Sequence, residues 1–239
     1  MKPIITYDNL RSFSYSNDML VTGEIKGIVL AFTGLGGQKR FDEDPSEGTY
    51  FAERGLIYLY PYLNPWNWMN RQAVAFVDEI VDVIFDHFRL PADTPVVSTG
   101  GSMGGQSALV YMAYAKRTPV ACVANCPVCD LLFHYSERPD LPRTLYSAFF
   151  DAEGTLEEAL ATASPLHLLK AGKMPYAKYT LFHCTADLLV NKEAHSDIFV
   201  DAAKDVFPTT YYVVPDRGHC DLGKEMYEVY LKEIAQAVG

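Results

Sequence analysis

The chain has 239 residues with 30 acidic and 20 basic side chains, a formal net charge of −10, and 49% hydrophobic against 21% charged residues. A chain of this size and balance suits one α/β core, and its negative charge with no basic stripe excludes a nucleic-acid backbone as partner. No apolar run is long enough to cross a bilayer, so no membrane partner is expected either.

Residues 1–8 carry one lysine but no apolar segment of a secretory signal, which makes the cytoplasm the expected location. Period-two alternation over Arg11–Ser16 predicts an edge strand or hairpin. Gly27–Thr33 is a continuous apolar run of the kind buried on both faces of a parallel sheet. It empties into Gly34-Leu35-Gly36-Gly37, a loop able to aim backbone N–H groups at one point but lacking the lysine and Ser/Thr of a phosphate loop. The charged stretch 38–44 that follows reads as solvated surface.

Gly55–Pro61 predicts a second buried strand, and both tryptophans, Trp66 and Trp68, fall in the loop after it. Loops at the C-terminal ends of parallel strands line the ligand crevice, so the pair either walls a substrate site or covers the edge of the core. From Arg71 to Phe88 the apolar residues recur at helical spacing, predicting a crossover helix.

The most informative stretch is Val96–Gly105, where a β-rich run reaches Gly100-Gly101-Ser102-Met103-Gly104 and an apolar helical run departs. That pattern predicts a sharp strand-to-helix turn with Ser102 exposed on it, Gly100 and Gly104 sparing the β-carbons that would clash. The helix N-terminus and the Met103 N–H would face an oxyanion formed there.

Val120–Cys126 predicts the next strand, and 127–172 an insertion of short helical pieces that forms a candidate cap over the strand ends. Cys126 and Cys129 have the spacing of a metal or redox pair, but no second Cys/His pair stands near in sequence, so packed thiols are expected and no metal or cofactor. The odd count of five cysteines fits reduced thiols rather than a disulfide framework. Lys178–Cys184 predicts a strand running into Asp187, and Thr210–Val214 a last strand running into His219, followed by a helix from Leu222 onward. Asp130 and Asp216 also follow strands and are rivals to Asp187 as the acid that would orient the histidine.

Ser102, Asp187 and His219 thus stand in that order, each at the C-terminal end of a predicted parallel strand. With the Gly-Gly-Ser-Met-Gly-Gly turn, the segment His183–Val190 and Gly218-His219, the chain from about Gly27 onward resembles the α/β-hydrolase superfamily. Its nearest likeness is the esterase and prolyl-oligopeptidase-like branch, where Ser-Pro, here Ser164-Pro165, often precedes the acid strand. The resemblance implies an α/β fold: one domain, residues 1–239, with a mostly parallel central sheet, helices on both faces and a helical cap insertion. It implies a Ser102–His219–Asp187 triad with an oxyanion hole at the N–H groups of Leu35 and Met103, the loop register leaving Gly34 or Gly36 open as the first donor.

The expected activity is hydrolysis of a small carboxylic ester through an acyl-enzyme. Hydrolysis of a small peptide or amide, acyl transfer, and a catalytically silent binding scaffold are the alternatives. Homo-oligomerisation is left open.

Overall fold

The computed structural model describes residues 4–37 and 40–238. Of the charged stretch 38–44, Gln38 and Lys39 lie outside the described residues, as do residues 1–3 of the N-terminal segment.

Among the described residues the sheet has seven strands: β1 (Ser14–Ser16), β2 (Gly27–Phe32), β3 (Leu56–Pro61), β4 (Val96–Gly101), β5 (Ala121–Asn125), β6 (Lys178–Cys184) and β7 (Thr209–Val214). Their spatial order is β1-β3-β2-β4-β5-β6-β7, with β1 antiparallel to β3 and every other neighbour parallel. The chain steps outward from β2 to β3, then returns past β2 to lay down β4 on its other side. Strand order reverses between β2 and β4, and it is outside the carboxyl ends of such a pair that open α/β sheets bind ligands.

The apolar strand runs work as their continuous hydrophobicity requires. Ile28, Leu30 and Phe32 pack with Ile57 and Leu59 on one face, while Val29 and Ala31 pack with Leu56 and Tyr58 on the other. The first face is covered by α2 (Arg71–Phe88) through Val77, Ile80, Val81 and Ile84, by α3 (Met103–Tyr114) through Ala108 to Met112, and by α8 (Ile198–Ala203) through Phe199. The second is covered by α1 (Ser46–Ala52) through Phe51 and by α9 (Gly223–Gln236) through Ile234. The helix over 71–88 begins at Asn70, whose side chain accepts from the Ala73 N–H at 3.0 Å, and ends on Arg89 in the left-handed region at φ 51°.

Between β5 and β6 lie α4 (Leu131–Glu137), α5 (Leu141–Phe149), α6 (Leu156–Thr162) and α7 (Pro165–Lys170). The Thr155/Glu158 capping box opens α6: each side chain bonds the other residue's backbone N–H. Leu131, Leu141, Leu145 and Leu160 bury against Trp68 and Met103 in a third apolar cluster, which fastens these helices to the loop after β3 and to the start of α3. No helix among the described residues is long and apolar enough to cross a membrane.

The N-terminal prediction holds only in part. Tyr7–Ser12 winds as a 3₁₀ helix with Leu10 buried beneath it, and only Ser14–Ser16 pairs as strand, against Leu59–Pro61.

Candidate active site

Ser102 stands between the end of β4 and the first residue of α3, with φ 59° and ψ −126°. A non-glycine residue at positive φ is strained, and such strain persists only where the surrounding structure over-determines it. Here the determinants are close backbone approaches. A Cβ at Gly100 would lie 2.5 Å from the Gly104 carbonyl carbon, and one at Gly104 would collide with the Phe32 carbonyl oxygen, so strand and helix meet only because both positions lack a side chain. The Ser102 N–H donates to the Asn125 carbonyl at 2.9 Å, and its Oγ makes no hydrogen bond among the described residues.

Asp187 lies on the loop after β6 with its side chain fully buried. One carboxylate oxygen, Oδ1, accepts from the N–H groups of Leu189 (2.8 Å) and Val190 (3.0 Å); the other, Oδ2, lies 2.6 Å from His219 Nδ1 and 3.4 Å from His183 Nε2. Burial pushes this carboxyl up, but the bonds from His183, His219 and the two amides outweigh it and hold Asp187 well below the ordinary carboxylate range. An ionised carboxylate only accepts, so His219 Nδ1 carries the proton and donates it, leaving a lone pair on Nε2. Neither rival acid touches His219. Asp130 caps α4 through the N–H groups of Leu132 and Phe133, and Asp216 is exposed on the turn after β7.

His183, at the end of β6, is fully buried. Its Nε2 donates to the Val190 carbonyl at 3.2 Å and its Nδ1 accepts from Ser196 Oγ at 2.6 Å. Sequence patterning offers no means of telling this supporting histidine from a core one, beyond its position four residues before Asp187.

Asn125, which no motif singles out, joins the elbow to the histidine loop. Its carbonyl accepts from Ser102 N–H, and its Nδ2 donates to the Cys220 carbonyl at 3.1 Å. Cys220 in turn lies against the elbow, where a Cβ on Gly101 would meet its Sγ at 3.1 Å.

The loop after β2 closes on Ser102 from the other side, a Cβ at Gly34 falling 3.9 Å from Ser102 Cβ. Within that loop the Gly36 N–H is taken by the Pro65 carbonyl at 2.9 Å and the Gly37 N–H by the Gly34 carbonyl at 3.0 Å. The N–H groups of Leu35 and Met103 have no acceptor among the described residues. Beside the loop a cleft of about 330 Å³ is lined by Thr33, Gly37, Arg40, Tyr60, Tyr62 and Leu63 among others.

The two tryptophans part company. Trp68 has no exposed surface: its ring lies in the cluster beneath α4 and α5 and its Nε1–H donates to Thr144 Oγ1 at 3.2 Å, so it covers the core and offers no wall to a substrate. Trp66 stays half-exposed with the Arg143 guanidinium 4.7 Å above its ring. Gln106 of α3 ties this loop to the insertion, donating to the carbonyls of Trp68 (3.1 Å) and Ala163 (2.7 Å).

A second clasp joins the insertion to the Asp187 loop. Glu137 at the end of α4 accepts from His134 Nδ1 (2.5 Å) and His195 Nε2 (2.9 Å) on one oxygen and from Asn191 N–H (2.7 Å) on the other. His195 Nδ1 accepts from the N–H groups of Cys129 and Asp130. These three side chains come close enough to hold a metal ion, but both Glu137 oxygens and both His195 nitrogens are already engaged.

All five cysteines are free thiols. Cys126 and Cys129 are both buried, as packed thiols are expected to be, but their sulfurs make different contacts. Cys129 Sγ reaches the Pro127 carbonyl, whereas Cys126 Sγ accepts from the Cys184 N–H at 3.4 Å and lies within 4.8 Å of Cys220 Sγ, a proximity that lowers the Cys126 thiol and raises that of Cys220.

No known protein family and no curated protein matches the sequence. Solved structures do. An S-formylglutathione hydrolase from Agrobacterium tumefaciens superposes with a TM-score of 0.67 at 17% identity, over 92% of this chain and 87% of that one. A truncated carbohydrate esterase from gut microbiota gives a TM-score of 0.69 at 12% identity, over 98% and 99%. Dipeptidyl peptidase 4 of Porphyromonas gingivalis gives 0.69 at 16% identity over 90% of this chain, which spans only 31% of that protein's length. The chain has the α/β-hydrolase fold, with a mostly parallel sheet covered by helices on both faces.

Proposed function

We propose that the protein is a serine hydrolase that cleaves small carboxylic esters through an acyl-enzyme on Ser102. The observation that carries this reading is the 2.6 Å bond between Asp187 Oδ2 and His219 Nδ1, because it fixes the tautomer with a basic Nε2 on the loop packed against Gly101, next to Ser102. A serine hydroxyl is a poor nucleophile at its own pKa. His219 Nε2 takes its proton as Oγ attacks the ester carbonyl, and the Asp187 carboxylate stabilises the imidazolium that forms. The free Ser102 hydroxyl closes on the ring once substrate is bound, as such bonds often do.

Charge then develops on the carbonyl oxygen. The unengaged N–H groups of Leu35 and Met103, with the N-terminus of α3 behind Met103, receive it, each donor lowering the barrier by roughly 3 kcal/mol. The proton on His219 passes to the departing alcohol, and a water repeats the sequence in reverse to release the acid. The cleft of about 330 Å³, which Thr33 and Gly37 line on either side of the Leu35 loop together with Arg40 and Tyr62, holds one side of the ester, and Trp66 is not part of its lining. The helices of the 127–172 insertion act as the cap, and no cofactor is called for. The free thiols fit a reducing cytoplasm.

Two of the neighbours that match nearly end to end are named as a hydrolase and an esterase, which supports ester over peptide bonds. The test is intact-mass analysis after treatment with a fluorophosphonate, followed by a panel of nitrophenyl esters and aminoacyl anilides. One adduct that vanishes in Ser102→Ala, with esters turned over faster than anilides, supports the proposal. No adduct on the folded protein would leave a binding scaffold, and faster anilide turnover would make it a peptidase.

A further inference from the structure

Cys126, His219 and Cys220 bring two sulfurs and one imidazole nitrogen to a single point at the carboxyl ends of β5 and β7. Their ligand atoms all lie within 4.8 Å of one another, and Cys220 Sγ is 3.7 Å from His219 Nε2. A tetrahedral zinc, with bonds of about 2.3 Å to sulfur and 2.0 Å to nitrogen, needs a sulfur-to-nitrogen separation of about 3.5 Å. Cys220 and His219 stand almost at that separation already, with Cys126 Sγ within 4.8 Å of both. The nitrogen is also in the right state, because its partner Nδ1 is held by the Asp187 carboxylate, the arrangement that orients histidines on zinc.

We propose that Cys126, Cys220 and His219 form a site for a thiophilic divalent cation of the zinc type, and that its occupation switches off the activity of Ser102. Binding releases the thiol protons to solvent while both sulfurs and the Nε2 lone pair bond to the cation; no electrons change hands. The Nε2 lone pair is the same one that must accept the Ser102 proton, so metal binding and catalysis exclude each other. Two soft thiolates select zinc or cadmium over magnesium and calcium, which prefer oxygen.

The surroundings favour three protein ligands and one open position. Asn125 holds Cys220 through the Nδ2 bond to its carbonyl, and its own carbonyl lies 3.6 Å from Cys220 Sγ. Asn125 Oδ1 is the one buried side-chain polar atom without a partner among the described residues, an acceptor that a metal-bound water would satisfy. Cys184 Sγ donates to the Asp221 carbonyl at 3.4 Å while its N–H donates to Cys126 Sγ, and Cys129 Sγ is turned towards the Pro127 carbonyl.

The inhibitory half of the proposal rests on the serine-hydrolase reading; the metal site itself does not. The experiment therefore has two arms on the full-length reduced protein. In the first, Co²⁺ is added and the thiolate-to-cobalt charge-transfer band in the near ultraviolet is followed, then displaced by Zn²⁺ to obtain the affinity. Cys126→Ser and Cys220→Ser should each weaken binding by 10- to 100-fold and reduce the band. Cys220→Ser, at a partly exposed residue, carries the arm if Cys126→Ser does not fold.

In the second arm, fluorophosphonate labelling of Ser102 is timed with Zn²⁺, with Mg²⁺, and with Zn²⁺ followed by a chelator. Labelling should slow at least 10-fold with Zn²⁺ alone and recover on chelation. Absence of the charge-transfer band, or equal affinity in the Cys220→Ser protein, would overturn the site. A band without any effect on labelling would overturn the inhibition. No labelling in the absence of metal would instead count against the hydrolase reading, with the cobalt arm still deciding the site.

Discussion

Asp187 and His219 are 32 residues apart in sequence, on loops from adjacent parallel strands, and their side chains meet at 2.6 Å. The register of β6 on β7 sets this meeting: Cys184 pairs with Val214, so both chains leave the sheet at the same level. Asp187 then folds back over its own Oδ1 bonds to Leu189 and Val190. Asp187→Asn keeps the acceptor for those two amides but presents an NH₂ to His219 Nδ1. The ring must then protonate Nε2, the wrong tautomer for a base. Ester turnover should fall by about 10³- to 10⁴-fold in a protein that still folds but melts at a lower temperature, since the NH₂ also faces the His183 Nε2 donor, as measured by nitrophenyl acetate hydrolysis and calorimetry.

Gly104→Ala tests the elbow's packing rather than its chemistry. Its Cβ would be driven into the Phe32 and Thr33 carbonyls, backbone atoms that cannot step aside. The expected cost is about 3 kcal/mol or more, or failure to fold, whereas Gly23→Ala, with open space around it, should stay within about 0.5 kcal/mol. Comparable melting temperatures for the two variants would show that strand and helix can separate without loss.

How much of this was legible in the sequence depended on how local the cause was. A continuous apolar run such as Gly27–Phe32 marks a buried parallel strand, and the Gly-Gly-Ser-Met-Gly run marks the elbow, because those causes lie within a few residues of their effects. α1 gives no such sign: it is seven residues long and buries only Gly48, Phe51 and Ala52. The choice of Leu35 over Gly36 as a free N–H depends on the Pro65 carbonyl, 29 residues on, and the neighbours of the Cys126 sulfur, the Cys184 N–H and Cys220, come from the end of β6 and the loop after β7. Trp68 was undecidable locally for the same reason, since what covers it is the 127–172 insertion.

Trp68 holds that insertion down, and truncation should show it. Trp68→Ala empties a fully buried site among Leu131, Leu141 and Leu145 and should cost about 3–5 kcal/mol. Trp68→Phe keeps an aromatic ring but leaves Thr144 without its donor, at a cost of about 1 kcal/mol. Both effects are read from melting curves, where each kcal/mol lowers the midpoint by about 2–4 °C in a chain of this size. An undisturbed melting temperature in Trp68→Ala would mean the insertion is not fastened there.

The Glu137 clasp makes the fold acid-sensitive. Burial holds the His134 ring below its ordinary value and neutral, so below about pH 6.5 the unfolded chain binds a proton that the folded chain refuses. Glu137, though partly buried, is held below the carboxylate range by bonds from His134, His195 and Asn191, so below about pH 4.3 the unfolded chain again binds more protons. Both signs agree: stability is full above neutrality, declines from about pH 6.5, and declines more steeply in the carboxylate range, where Asp187 and Asp18 add to it. His134→Gln retains a donor to Glu137 and removes the upper step only. Melting temperature followed from pH 8 to 4 should show that step flattened; an unchanged profile would place the titration elsewhere.

The oxyanion assignment can be tested on a single atom. Side-chain changes at Leu35 leave its N–H in place, so the informative variant replaces the Leu35 amide by an ester, installing the hydroxy-acid analogue of leucine at that position. The N–H disappears while the side chain remains; Gly36 keeps its bond to the Pro65 carbonyl, and Gly37 keeps a weaker one to Gly34, whose carbonyl becomes that of the ester. If the Leu35 N–H holds the oxyanion, kcat should fall by about 10²- to 10³-fold with KM little altered, because the donor meets its partner only when charge has developed. The same change at Gly34 serves as the comparison, and a larger loss there would move the donor one residue earlier. Equal activity in both would mean that Met103 and the N-terminus of α3 hold the oxyanion by themselves.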